Sequence, residues 1–221
     1  MSREGEVVVL VHGLWMTGLE LVPLQRRLER CGFACRRFRY ASVRRPVREN
    51  ARRLAAFLRG LEARRVHFVT HSLGGLVVYQ LFDLAPIQAP GRIVMLAPPL
   101  AGSRAAGKLW RWRLGRRLLG RSFEGGLDGR LPRWHGSRVL GVVAGTRPVG
   151  AGSLLLRALE PPNDGVVEVR EACPEWVQHC CLLPHTHFTL LFAADAAAAV
   201  CDFLWHGRFT GDARQAVQSR R

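Results

Sequence analysis

Positions 6–11 read Glu-Val-Val-Val-Leu-Val, a continuous β-branched run without polar alternation. Such a run predicts a strand buried on both faces of a parallel sheet. Next, Thr17-Gly18-Leu19-Glu20 has the form of a capping box, while Pro23 favours a helix start near Val22. Either start gives a helix to about Arg30, closed by Gly32. Positions 33–40 predict a second strand, whose arginines place it near a sheet edge. Pro46 opens a second helix, with Val47, Leu54, Phe57, Leu58 and Leu61 on one face. An apolar run at 66–69 reads as a buried strand, and helical spacing from Leu76 carries a helix to about Leu84. Pro86 and Pro90 break the chain. Further strands are expected at 92–97, at 139–144 ending in Gly145, and at 177–183, with a short helix near 154–159. Thr186 or His187 is expected to open the last helix. It should pack through Phe188, Phe192, Ala196, Ala199, Val200 and Phe203 and end at Gly207. Strands alternating with helices predict an α/β fold, a parallel sheet with helices on both faces.

The pattern changes between 99 and 134. Pro98-Pro99 leads into Ala101-Gly102-Ser103. Lys108 to Arg121 then carries six basic and no acidic residues, with Trp110 and Trp112 among them. The apolar positions form no clean stripe. We read 99–134 as a cap or lid inserted into a single domain spanning 1–209, followed by a loose basic tail at 210–221. No internal repeat is visible.

Composition narrows the classes. A hydrophobic content of 48% over 221 residues fits one globular domain with an ample core. No run approaches the ~20 apolar residues of a membrane helix. The net charge of +16 is large, but Lys108 is the only lysine and the arginines are spread along the whole chain. Without a nucleic-acid motif this reads as a solvated surface and argues against a nucleic-acid partner. The six cysteines show no C-x-x-C pair, and the N-terminal residues show no basic-then-apolar leader. Free buried thiols and a cytoplasmic location are therefore expected.

The candidate chemistry centres on Thr70-His71-Ser72-Leu73-Gly74-Gly75. A serine at the apex of a tight strand-to-helix turn, flanked by small residues, is the nucleophile elbow; here Thr70 stands at the first small position. A serine hydroxyl needs a base, the base needs an acid, and the developing oxyanion needs N–H donors. The expected donors are the backbone N–H groups of Leu73 and of Leu14, which follows His12-Gly13. Asp164, in Asn163-Asp164-Gly165, is the candidate acid. Asp195 and Asp202 read as a solvated helix face, and Asp83 and Asp128 have no suitable loop context. The candidate base is His187, with His185 as the alternative. His12, Gly13, Trp15 and His71 are expected around the substrate pocket; His12 is also read, with His67, His135, His179 and His206, as structural.

The order Ser72, Asp164, His187 and the motifs Val-His-Gly-Leu-Trp (11–15), Thr-His-Ser-Leu-Gly-Gly (70–75), Pro-Asn-Asp-Gly-Val-Val (162–167) and His-Phe-Thr-Leu-Leu (187–191) resemble the α/β-hydrolase superfamily, bacterial lipase/esterase type. The resemblance runs from about residue 6 to residue 209. It implies an α/β-hydrolase fold with a small cap. It also implies carboxylic-ester hydrolysis through an acyl-enzyme, with no metal or organic cofactor and a small ester or lipid as substrate. The charged, tryptophan-containing segment adds contact with an anionic lipid surface as an expectation. Thioesterase, acyltransferase or perhydrolase activity on the same fold, or a catalytically inactive binding protein, remains open at this level.

Overall fold

The computed structural model describes residues 5–134, 136–150 and 159–210. Six strands form one parallel sheet: β1 (Glu6–Val11), β2 (Ala34–Phe38), β3 (Arg65–His71), β4 (Ile93–Leu96), β5 (Leu140–Gly145) and β6 (His179–Leu183). Their spatial order is β2-β1-β3-β4-β5-β6, and each neighbouring pair is parallel. The arginine-bearing β2 lies at an edge, as its composition predicts.

The pleat explains the two cores. Val9 and Val11 of β1 join one buried cluster, and Val8 and Leu10 join the other. Successive strand residues point to opposite faces, so an unbroken apolar run is what a sheet covered on both sides requires. The first face packs α2 (Val47–Arg59) and α3 (Leu73–Leu84). The second packs α1 (Val22–Arg30) and the C-terminal helix, numbered α7 below. The Pro23 start read at the first helix is present, but the capping box is only half formed, since the Thr17 side chain caps neither helix turn. Glu20 accepts from the N–H groups of Thr17 and Gly18, and Pro23 sits in the first turn of α1.

Residues 99–134 hold two short helices, α4 (Arg104–Trp110) and α5 (Arg113–Leu119), followed by tight helical turns. Ser103 caps α4, its Oγ accepting from the N–H of Ala106 at 3.1 Å. A buried carboxylate ties this segment to the rest of the chain. Glu171, in the short α6 (Val169–Ala172), accepts from the Arg104 N–H at 2.6 Å. The Arg104 side chain reaches Glu160 and Glu168.

Several expectations need correction. The last helix, α7, spans Ala194–His206 and does not open at Thr186 or His187. Thr186 and Thr189 exchange hydroxyl and backbone bonds, a local turn that competes with helix. Phe188 and Phe192 are consequently exposed, whereas Ala196, Ala199, Val200 and Phe203 are buried as expected. Phe33 lies in the turn that follows α1, where its N–H bonds the Leu28 carbonyl, and is not part of β2. The last strand starts at His179, because Val177 closes a turn onto Pro174.

The cysteines are not all free. Cys31 pairs with Cys201 and Cys173 with Cys180; Cys35 and Cys181 are free and buried. Spacing concealed the first pair because its partners lie 170 residues apart and meet only when α1 and α7 pack on the same face. His135, the expected helix near 154–159 except its last residue, and the tail from 211 lie outside the described residues.

Candidate active site

Ser72 follows β3 and precedes α3, with φ 51° and ψ −123°. Left-handed φ is uncommon outside glycine and marks backbone held by its surroundings. Here the holding contact is the close approach of α3 to β1. A Cβ on Gly74 would collide with the Val11 and His12 carbonyl oxygens, and one on Gly75 would lie 2.8 Å from Pro98. The two glycines let the helix start against the sheet, and the turn is left with Ser72 at its apex. Thr70 is fully buried and occupies the first small position without opening the turn.

Asp164 lies in the loop between β5 and α6 and is 1% exposed. Its Oδ1 accepts from the N–H groups of Val166 (2.9 Å) and Val167 (2.7 Å), and its Oδ2 accepts from His187 Nδ1 at 2.8 Å. The His187 N–H also bonds the Asp164 carbonyl at 2.8 Å. Gly145, at the end of β5, makes room: a Cβ there would stand 2.8 Å from Asp164 Cβ. Because Nδ1 donates to a carboxylate, Nε2 of neutral His187 carries a lone pair.

The alternative base is placed elsewhere. His185 Nε2 donates to Asp195 at 2.7 Å, an exposed pair off the cavity. Asp195 is thus engaged with His185, not simply solvated. Asp202 bonds the hydroxyl of Thr210.

Ser72 and His187 open into one cavity of about 420 Å³. Leu14, Trp15, Met16, His71, Leu109, Leu119, Leu127, Val167 and Phe188 contribute to its walls, which are mostly apolar. Ala105, Ala106, Leu109, Leu119 and Leu127 come from segment 99–134, so that segment forms much of the wall. The expectation for His12 and Gly13 is corrected, because neither lines the cavity. His12 is buried and stacked on Tyr40 at 4.3 Å, its basicity lowered chiefly by desolvation. Gly13 packs beneath His71 and Ser72.

The candidate N–H donors also have a definite setting. The N–H of Gly13 goes to Met16 Sδ and that of Trp15 to Ser42 Oγ. The N–H of Leu14, between them, has no acceptor among the described residues. Leu73 is the first residue of α3, where N–H groups lack helical partners and favour negative charge.

Sequence reasoning missed three parts of this site. Ser42 carries no local signal, since only the fold brings it to Trp15. The N–H groups of Val166 and Val167 that fix Asp164 were hidden inside a turn motif. His71 proves to be more than a wall residue: its Nε2 lies 2.9 Å from the His187 carbonyl oxygen.

A six-stranded parallel sheet of this order, with a strained serine on the turn after its third strand, defines an α/β-hydrolase fold. The chain belongs to the alpha/beta hydrolase family, which matches residues 8–220. No curated protein matches it in sequence. Among solved structures it is similar to Bacillus licheniformis lipase BlEst2. The mature form superposes with a TM-score of 0.71 at 18% identity, covering 94% of each chain. The propeptide form gives 0.72 at 17% identity, covering 91% of this chain and 51% of that one; the chain thus spans about half of the propeptide form. Legionella pneumophila phospholipase PlaB, in complex with thio-NAD, gives 0.62 at 22% identity over 76% of this chain and 44% of that one.

Proposed function

We propose that the protein is a serine hydrolase of carboxylic esters, with Ser72 as nucleophile, His187 as general base and Asp164 as the acid that orients it. The observation that carries this reading is the His187 Nδ1–Asp164 Oδ2 bond of 2.8 Å, on a histidine that shares a cavity with Ser72. Ser72 Oγ attacks the ester carbonyl and its proton passes to His187 Nε2. The N–H groups of Leu14 and Leu73 stabilise the oxyanion. The alkoxide then leaves with the proton from His187, and water deacylates Ser72 by the same route in reverse.

The apolar cavity suits an acyl chain, with segment 99–134 acting as its cap. Trp112, just before α5, and Leu114 and Leu118 within it are exposed alongside the arginines of that helix. This surface supports contact with anionic lipid. The two disulfides favour an oxidising compartment over the cytoplasm expected from sequence.

An active-site fluorophosphonate tests the reading. It should label Ser72 in the folded protein and lose labelling in His187→Ala, while His185→Ala labels at nearly the wild-type rate. Labelling that survives in His187→Ala and vanishes in His185→Ala would reverse the assignment of the base.

A further inference from the structure

Trp15 adopts φ 60°, a conformation that a residue with a bulky side chain rarely takes. It stands directly after Leu14. Two hydrogen bonds hold it, and both come from distant parts of the chain. Its backbone N–H donates to Ser42 Oγ at 3.1 Å, and its indole Nε1–H donates to the Leu118 carbonyl of α5 at 2.8 Å. Trp15 lines the cavity yet is 58% exposed, so burial contributes little to holding it. Ser42, by contrast, is buried and forms a fixed anchor.

We infer that Trp15 is a positioning residue, a strut that sets the direction of the Leu14 N–H from α5. This inference rests on the oxyanion role proposed above for Leu14. The Trp15 N–H bond to Ser42 and the dihedral angles at Trp15 fix the Leu14–Trp15 peptide plane, and the Leu14 Cα joins that plane directly to the Gly13–Leu14 peptide, whose N–H is the proposed donor. The Gly13 N–H is already taken by Met16 Sδ. The donors on either side of Leu14 are therefore engaged, while its own N–H has no acceptor among the described residues. Strain retained next to a working group persists only where the surroundings over-determine it, and here the surroundings are one side-chain hydroxyl and one helix carbonyl. Because α5 also contributes Leu119 to the cavity wall, a shift of α5 would reach the acyl wall and the oxyanion donor together. An oxyanion donor acts on the transition state, so misplacing it lowers kcat and spares KM.

The test compares wild type, Trp15→Phe and Trp15→Gly, with p-nitrophenyl acetate as substrate to keep acyl-wall contacts small. Trp15→Phe keeps a ring and removes the indole donor. Trp15→Gly relieves the left-handed strain and also removes the donor. The strut predicts a roughly tenfold fall in kcat for both variants with KM within about twofold, less than the ~10²–10³ lost with an entire oxyanion donor. Trp15→Gly turning over at or above the wild-type rate would overturn the strut, leaving backbone strain alone as the relevant feature. A second readout needs no turnover. In the ¹⁵N–¹H spectrum, Trp15→Phe should move the Leu14 amide resonance and leave that of Leu73 in place. A Leu14 resonance unmoved in Trp15→Phe overturns the strut even if the wild type shows no Ser72-dependent turnover, an outcome that would by itself reject only the proposed function.

Discussion

His71 Nε2 lies 2.9 Å from the carbonyl oxygen of His187, and the two rings are 4.7 Å apart. Burial pushes the His71 pKa down to about 3, with the neighbouring His187 adding to the effect. His71 is therefore neutral, and its Nε2–H is the donor. The residue before Ser72 thus holds the main chain of the residue that bonds Asp164, across 116 positions of sequence.

That neutrality has a cost in acid. Between the ordinary histidine value of 6.5 and about pH 3, the unfolded chain takes a proton on His71 that the folded chain refuses. This contribution to stability is complete above pH 6.5 and is lost as the pH falls through that window, by at most ~1.4 kcal/mol per unit. His12, also lowered by burial, acts in the same direction. His71→Gln keeps a donor and removes the titration. Urea unfolding at pH 7.5 and pH 5 should show a loss on acidification about 2 kcal/mol smaller in the variant than in wild type. Equal losses would contradict the buried neutral assignment.

The elbow depends on Gly74. A Cβ there meets the backbone carbonyls of Val11 and His12, which cannot move aside, so Gly74→Ala should cost roughly 1–3 kcal/mol and lower the melting temperature. Gly107, in α4, is a control with nothing within 4 Å of its Cβ position. Gly107→Ala should raise stability by roughly 0.5–1 kcal/mol through helix propensity. Similar melting temperatures for the two variants would contradict the close approach.

The disulfides make a countable prediction. Denatured, unreduced protein should take up two alkyl groups, at Cys35 and Cys181, and reduced protein should take up six. In the native state both free thiols should resist alkylation, since burial pushes each up to about 12. Reduction should lower stability by roughly 2–4 kcal/mol. Mass spectrometry showing six alkyl groups without reductant would contradict the pairing.

The surface around α5 predicts a dependence on lipid charge. Hydrolysis of an ester embedded in vesicles should be faster with anionic than with zwitterionic lipid, and the difference should shrink as salt is raised. Rates indifferent to both would separate the cavity from any lipid surface.

The sheet was legible because β1, β4 and β5 are apolar on both faces and β3 carries an apolar run at its centre, a signal that needs no partner to be read. The elbow was legible because its glycines are a local steric requirement. The pairing of His187 with Asp164 was legible from their loops, which follow strands at the same edge of the sheet. What escaped was long-range. Cys31 and Cys201 meet through helix packing, Ser42 reaches Trp15 through loop placement, and Thr186 with Thr189 closes a turn that delays α7 to Ala194. None of these pairings leaves a periodic trace in the sequence.

The central claim is that Ser72 is the nucleophile of an ester hydrolase. The most direct measurement is hydrolysis of p-nitrophenyl esters from short to long acyl chains by wild type and Ser72→Ala, with melting curves for both. The account predicts chain-length-dependent turnover in wild type, and its loss in a variant that melts like wild type. Turnover that survives in Ser72→Ala, or none in wild type at any chain length, would contradict it.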